Sequence, residues 1–206
     1  MSSQLPDDDY HYDVFLSYTR NLVGEWVQNY FLELFKEYLY SALGYPPSIF
    51  VDTQSISVGD AWPLNIQKAL AHSKCLVAVI SPPYFRSEWC MKECHVMLAR
   101  EKVEGFRTKA NTSGLVIPVI ARDGKHHPEY IQEIQSVDFK RFVKKGGALA
   151  SSPRYIEFQD EMEVWTEQVA ATIRKAPLWN SNWPDETTIE IPEIKTLEFN
   201  MKPQIR

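Results

Sequence analysis

The chain has 206 residues, of which 44% are hydrophobic and 24% charged, so it is long enough to form one domain with a sizeable core. Its net charge of −5 argues against a nucleic-acid-binding surface, which requires clustered Lys and Arg side chains. No apolar stretch approaches the length that spans a lipid bilayer, so we expect no association with membranes.

Residues 1–11 are polar and acidic, unlike a secretory signal, and are predicted to form a lead-in to the domain. The three cysteines, Cys75, Cys90 and Cys94, give no even disulfide framework, so we expect reduced thiols and a cytoplasmic protein. Cys90, Cys94 and His95 fall short of the four ligands of a structural zinc site, so no metal is predicted.

The first part of the chain alternates between strand and helix patterns. Residues 13–18, DVFLSY, form a nearly continuous apolar run, which is typical of a strand buried on both faces. Residues 25–43 carry apolar side chains at helical spacing and are followed by Gly44, a residue that favours the end of a helix. Residues 48–52 form a second predicted strand, and a helix is predicted after the next loop, with Pro63 near its first turn.

The middle of the chain continues the alternation. Residues 75–81 form a third apolar run and predict a buried strand. Ser87 is the predicted N-cap of a helix that extends to about Arg100. Residues 115–121 predict a fourth strand, and the proline inside it, Pro118, indicates that this strand is not fully paired.

The last part of the chain holds two further predicted elements and an extension. Residues 129–137 predict a short helix, residues 154–158, RYIEF, a fifth strand, and residues 161–175 a final helix. Residues 177–206 are rich in proline and are predicted to be an extension, either an added edge strand or a wrapping tail.

Five alternations of strand and helix predict one α/β domain over residues 12–176, with a doubly wound parallel sheet of five strands. Such sheets bind ligands at the carboxyl ends of the strands, where the strand order reverses. In the order 2-1-3-4-5, this switch point lies between strands one and three. The helix that follows strand three therefore begins beside the predicted site.

Two side chains in the first turns of that helix are candidates for the site. Trp89 and Glu93 are four residues apart, so they share one face of the helix and are predicted to flank the cleft at the switch point. The spacing also allows an ordinary interpretation, in which Trp89 packs on the core and Glu93 is a solvated charge. Neither common nucleotide fingerprint, G-x-G-x-x-G or G-x-x-x-x-G-K-[ST], is present.

Three segments resemble motifs of the Toll/interleukin-1 receptor (TIR) domain family. YDVFLSY resembles its first box, and SIFVDTQSISVGDAW resembles its second strand and BB loop. SPPYFRSEWCMKE resembles the W-x-x-x-E segment of bacterial and plant members. The resemblance covers residues 12–175 and implies a flavodoxin-like fold with the strand order 2-1-3-4-5.

The resemblance also implies one of two functions. Many bacterial and plant members cleave NAD at the bond between nicotinamide and ribose, and the Glu of the W-x-x-x-E segment is their catalytic residue. Here that residue is Glu93, with Trp89 as its partner. Many animal members are instead non-catalytic adaptors that act by binding other TIR domains. The intact Trp89 and Glu93 pair favours the enzyme, and an antiphage or immune signalling role is expected by analogy.

One glutamate suffices for this chemistry. Nicotinamide leaves NAD as a neutral molecule, so no general acid is needed, unlike in most glycoside hydrolases. A carboxylate beneath the ribose would stabilise the oxocarbenium-like charge that develops there, which is the role predicted for Glu93. Trp89 offers a flat aromatic face for a base. NAD is thus expected as the substrate, and no cofactor is required.

Further site residues are predicted from their position at the ends of strands or from the resemblance to TIR domains. Tyr18 and Arg20, at the end of strand one, are predicted to bind substrate. Asp52 resembles an acidic position that lines the site, with a loop-capping role as its alternative. Trp62 resembles a substrate-contacting BB-loop residue and alternatively packs that loop on the next helix.

Self-association is expected as well, because TIR domains stack through their BB loops and helices. The resemblance places the corresponding interface in residues 53–62. Gly59 and Asp60 are the predicted contact residues there.

Overall fold

The computed structural model describes residues 9–51, 63–122, 127–144 and 149–189. Within these ranges, five parallel strands form one sheet in the order β2-β1-β3-β4-β5. The strands are β1 (Tyr12–Tyr18), β2 (Ile49–Val51), β3 (Ser73–Ile80), β4 (Val116–Ile120) and β5 (Val137–Asp138). The predicted flavodoxin-like α/β fold, with its strand order 2-1-3-4-5, is confirmed.

Helices connect and flank these strands. They are α1 (Arg20–Trp26), α2 (Leu32–Leu43), α3 (Leu64–Ala71), α4 (Glu88–Val103), α5 (Glu129–Gln132) and α6 (Arg154–Arg174). Single 3₁₀ turns lie at Tyr84–Arg86 and Lys140–Phe142.

The two central strands form the middle of the hydrophobic core. In β1, Val14, Phe15 and Leu16 are almost wholly buried, and all six residues from Cys75 to Ile80 of β3 are fully buried. Residues of the two strands pair in register, with Leu16 opposite Val77. These strands have no polar face because helices cover both sides, which is why their sequences are continuous apolar runs.

The helical segment after β1 has three parts. α1 begins at Arg20, but Asn21 and Leu22 have non-helical backbone angles, and Leu22 has a φ of 76°. A π-helical turn, Val27–Phe31, then leads into α2. The helix predicted over residues 25–43 is confirmed, and Gly44 ends it in the left-handed conformation with a φ of 79°, as predicted.

The fifth strand was wrongly predicted. Residues 154–158 are the first turns of α6, whose buried side chains recur every three or four residues: Phe158, Met162, Trp165, Val169 and Ile173. The aromatic and β-branched composition of RYIEF resembles a strand, but the helical period continues through it. The strand that completes the sheet is β5, which has only two residues. Its first residue, Val137, is the last residue of the segment predicted as a helix over residues 129–137, of which only Glu129–Gln132 is helical.

The outer edge of β4 is blocked by side chains as well as by β5, which pairs with only two of its residues. Pro118 has no N–H to offer a neighbouring strand. At Val116, the backbone N–H donates to Glu101 Oε1 at 2.7 Å, and the carbonyl accepts from Arg107 Nη2 at 2.7 Å. The incomplete pairing predicted from Pro118 is therefore confirmed.

Part of the predicted C-terminal extension, residues 177–189, packs against the amino-terminal end of the sheet. The indole of Trp179 stacks on His72 with ring centroids 5.0 Å apart. Trp183 is 9% exposed, lies 4.1 Å from the Arg100 guanidinium and donates from Nε1 to Glu104 Oε1 at 2.6 Å. Residues 1–8 and 190–206 lie outside the described residues, and the domain boundary at residue 176 stays a prediction.

Candidate active site

The carboxyl ends of β1 and β3 lie side by side at one edge of the sheet. Tyr18 at the end of β1 pairs with Val79 of β3. One residue further on, the hydroxyls of Thr19 and Ser81 are 3.1 Å apart. Since β2 lies outside β1 and β4 lies outside β3, this is the position at which the strand order reverses.

Helix α4 begins at this edge because of a local capping signal. Ser87 has an extended backbone, and its side chain accepts a hydrogen bond from the Cys90 N–H at 3.3 Å, as predicted for an N-cap. Glu88, in the first turn, is exposed and pairs with Lys92 at 2.9 Å. The next carboxylate on the helix, Glu93, lies on the opposite, inward side.

Glu93 is held at the switch point by a short chain of hydroxyl groups. Its side chain is only 6% exposed, and Oε2 accepts a hydrogen bond from Ser17 Oγ at 2.5 Å. Ser17 Oγ is also 2.9 Å from the Tyr84 hydroxyl. Because Ser17 has a single proton and directs it to the carboxylate, the Tyr84 hydroxyl donates to Ser17. Burial raises the pKa of Tyr84 well above its usual value, consistent with a phenol that keeps its proton.

The sequence therefore located Glu93 but missed Ser17 and Tyr84. Ser17 is the single polar residue between Val14 and Tyr18 of a buried strand, and a buried hydroxyl needs a hydrogen-bond partner. That signal was present in the sequence. The sequence did not show which side chain is the hydrogen-bond partner of Ser17, because Glu93 is 76 residues away along the chain.

Trp89 is half-buried and packs against the hydrophobic core, as its ordinary interpretation predicts. The ammonium of Lys92 lies 5.2 Å from the centroid of its ring. This distance is within the range of a cation–π contact. A role of Trp89 in stacking on a substrate base stays a prediction.

The other predicted site residues divide into two groups. Tyr18 is half-buried at the end of β1, where its hydroxyl accepts from Gln28 Nε2 at 3.5 Å, and Arg20 is exposed at the start of α1. Both are at the edge where Glu93 lies. Four predicted residues lie outside the described residues: Asp52, Gly59, Asp60 and Trp62.

The three cysteines are buried and free. Burial raises the pKa of the Cys94 thiol to about 12 and also raises the pKa of Cys75 and Cys90. These thiols are therefore protonated and unreactive at neutral pH. Within the ranges that the structure describes, no group of three or more His, Cys, Asp or Glu side chains is placed to bind a metal ion.

Two cavities formed by described residues lie away from Glu93. One, of about 520 Å³, lies between α6 and the outer edge of β4, with Ile117, Val137 and Trp165 in its lining. The other, of about 180 Å³, lies under the extension beside Arg100 and Trp183. Residues 52–62 follow β2 and residues 123–126 follow β4 along the chain, and both ranges are outside the described residues.

The fold and site define a flavodoxin-like α/β protein with a carboxylate at its switch point. The family model described as "TIR domain" matches residues 14–149, which is more than half of the chain. The chain therefore belongs to the TIR domain family, as its motifs predicted. No curated protein matches it.

Two solved structures are similar to this chain. One is the TIR domain of the Toll-related receptor TRR-2 from Hydra magnipapillata, at 20% identity and a TM-score of 0.41, covering 72% of this chain and 97% of that chain. The other contains the TIR domains of the activated Roq1 resistosome directly recognizing the pathogen effector XopQ, at 22% identity and a TM-score of 0.38. It covers 78% of this chain and 84% of that chain.

None of the helices in the described ranges is both long enough and apolar enough to cross a membrane.

Proposed function

We propose that this TIR domain is an NAD glycohydrolase that uses Glu93. The observation that supports this most strongly is the position of its carboxylate, which lies nearly buried at the switch point and is held by Ser17 at 2.5 Å. Burying a carboxylate is costly unless hydrogen bonds compensate, so a glutamate without a function would be expected at the surface.

The reaction breaks the bond between C1′ of the ribose and the nitrogen of nicotinamide. The electron pair of that bond leaves with the nitrogen, so nicotinamide departs neutral and positive charge develops on the ribose. The Glu93 carboxylate stabilises that charge. Water then adds to C1′ and releases a proton, giving ADP-ribose. Attack by a ring nitrogen of the adenine base in place of water gives a cyclic product.

Other residues of the site are proposed to bind the substrate. Trp89, with its flat ring, stacks on a base, while Tyr18 and Arg20 contact the ligand from the end of β1. Asp52 and Trp62 are proposed to complete the site from residues 52–62. Each of these roles comes from the position in the chain or from the family resemblance.

Activity is proposed to depend on self-association through residues 53–62, with Gly59 and Asp60 at the contact. The proposed biological role is immune signalling, including defence against phage, in which NAD cleavage follows assembly.

The alternative is a non-catalytic adaptor that only recruits other TIR domains. In this alternative, the nearly buried Glu93 carboxylate has a structural role as the acceptor of the Ser17 hydrogen bond, and no ribose reaches it. The two functions differ in one measurable property, the release of nicotinamide from NAD.

The deciding experiment measures nicotinamide release by the purified full-length chain, both dilute and under crowding that promotes assembly. Glu93→Gln keeps the size of the side chain and accepts the Ser17 hydrogen bond, but removes the negative charge. We expect it to lower the rate by about 100-fold or more, the usual effect of removing one electrostatic stabiliser.

Glu88→Gln is the matched control, because it removes an exposed carboxylate from the same helix. It should retain the full rate. Equal rates for the two variants would exclude the catalytic role of Glu93, and an assembled wild-type protein that releases no nicotinamide would support the adaptor.

A further inference from the structure

Arg122 lies at the same edge of the sheet as Glu93. It follows β4, and its backbone N–H donates to the Ile80 carbonyl at 3.2 Å, at the end of β3. Ser81, the next residue after β3, is linked through its hydroxyl to Thr19 at 3.1 Å. The ends of β1, β3 and β4 thus place Arg122 in the row of residues that borders the switch point.

The guanidinium of Arg122 has no partner within the described part of the chain. Its Nε is buried without a hydrogen-bond acceptor, and its side chain forms no ion pair there. Two other arginines form ion pairs, Arg107 with Glu101 and Arg141 with Glu161. A buried N–H without an acceptor is unfavourable, so an acceptor is expected from outside the described residues.

The Nε of Arg100 also lacks an acceptor among the described residues, but the rest of its guanidinium is hydrogen-bonded. Arg100 lies at the opposite end of the sheet, where its other guanidinium nitrogens donate to the carbonyls of Ser73, Leu70 and Ala71. That side chain is a structural link between helices and strands. Arg122 makes no such link to any residue that the structure describes.

The loops that follow β3 and β4 contact each other at this edge of the sheet. The rings of Phe85, after β3, and His127, after β4, are 5.4 Å apart. The same 3₁₀ turn that contains Phe85 also contains Tyr84, which donates to Ser17. Arg122 and the hydroxyl chain around Glu93 are therefore at the same edge of the sheet.

We propose that Arg122 binds the phosphate oxygens of the dinucleotide substrate. The chain lacks both glycine-rich phosphate-binding fingerprints, so a positively charged side chain is the group expected to meet the negative charge of a pyrophosphate. A guanidinium suits this purpose because its planar fork donates two parallel hydrogen bonds to phosphate oxygens. The inference rests on the proposed NAD glycohydrolase, and it assigns Arg122 to substrate binding and not to bond cleavage.

The test compares a substrate that carries the pyrophosphate with one that lacks it. In Arg122→Gln, KM for NAD should rise about tenfold or more, since a charge-assisted pair of hydrogen bonds is lost. Its kcat should stay within about twofold, and KM for nicotinamide riboside, which has no phosphate, should not change. Arg122→Lys, which keeps the charge without the fork, should fall between the wild type and Arg122→Gln.

Lys109→Gln is the charge-matched control, because this exposed lysine lies in the loop before β4, at the other end of the sheet. It should leave both KM values unchanged. An unchanged KM for NAD in Arg122→Gln would overturn the inference. An equal rise in KM for both substrates would also overturn it, since that result indicates a general distortion of the site.

A binding experiment separates this inference from the proposed reaction. Isothermal titration calorimetry with ADP-ribose measures the binding affinity and needs no catalysis. One result would support the phosphate site and contradict the proposed reaction: the wild type releases no nicotinamide but binds ADP-ribose at least tenfold more tightly than Arg122→Gln does. If ADP-ribose does not bind to the wild type, or binds equally to both proteins, the phosphate site is wrong. The thermal stability of Arg122→Gln should not fall, because no side-chain hydrogen bond within the described residues is lost.

Discussion

At the scale of single residues, the candidate site depends on how a buried carboxylate is kept in place. The hydroxyls of Tyr84 and Ser17 form a chain that ends on Glu93, with distances of 2.9 and 2.5 Å. Both hydroxyl residues are buried, so each proton has a defined acceptor. In the proposed reaction, Ser17 is therefore a positioning residue that acts through Glu93.

Ser17→Ala should lower kcat for nicotinamide release by about tenfold, the effect of losing one hydrogen bond to a charged group. The acidic limb of the pH–rate profile should move to higher pH, because the carboxylate loses a hydrogen bond that favours its charged form. Steady-state kinetics from acidic to neutral pH measures both effects.

Tyr84→Phe removes the far end of the same chain and should cause a smaller loss. A Ser17→Ala enzyme with a lower rate but an unmoved pH profile would indicate a structural role for Ser17 and would contradict positioning.

At the scale of elements, the start of β4 is fixed by one buried carboxylate. Glu101, in the last turns of α4, is 2% exposed and accepts the backbone N–H groups of Leu115 and Val116. It also pairs with Arg107 at 2.6 Å. A Cβ at Gly114 would overlap the Arg107 guanidinium, which would then have to move from its place beside Glu101. Two elements that are joined by a loop are thus locked together by side-chain contacts.

Glu101→Gln should lower the free energy of unfolding by about 3 kcal/mol, because it leaves Arg107 unpaired and weakens two backbone hydrogen bonds. Urea denaturation measures this change. Glu88→Gln, which breaks an exposed pair on the same helix, should cost less than about 1 kcal/mol. Similar losses for the two variants would show that Glu101 does not hold β4.

The prediction of elements succeeded for the two central strands and for the helix over residues 25–43, and it failed for short segments near the end of the sheet. The continuous apolar runs of β1 and β3 identify buried strands, because a short run with no polar positions is suited to a strand covered on both faces. β5 has two residues and is defined by its hydrogen bonds to β4, so no local pattern marks it. The segment at residues 154–158 was misassigned because so short a segment does not distinguish a strand from the first turns of a helix.

At the scale of the whole molecule, residues 177–189 join distant parts of the chain at the amino-terminal end of the sheet. The Tyr10 hydroxyl donates to the Pro177 carbonyl at 2.8 Å, and His72 stacks between His11 and Trp179. The Arg100 side chain lies over Trp183. These contacts are at the opposite end of the strands from Glu93, so they are expected to stabilise the domain without a part in the reaction.

Trp183→Ala should lower the free energy of unfolding by about 3 kcal/mol, because it removes a buried aromatic side chain and its contact with Arg100. The rate of nicotinamide release at temperatures well below unfolding should not change. Leu178→Ala is the control in the same segment, since Leu178 is 93% exposed, and it should have little effect on stability. Equal stabilities of the two variants would show that the segment is not docked in solution.

The sequence by itself determined the family, the α/β alternation and the candidate glutamate, because local periodicity and short motifs carry that information. Only the tertiary structure decided which strand completes the sheet, which hydroxyls hold Glu93, where Arg122 lies and that residues 177–189 pack on the domain. Each of these depends on residues far apart in the chain. Such contacts are set by the strand order and by packing, and no local pattern encodes them.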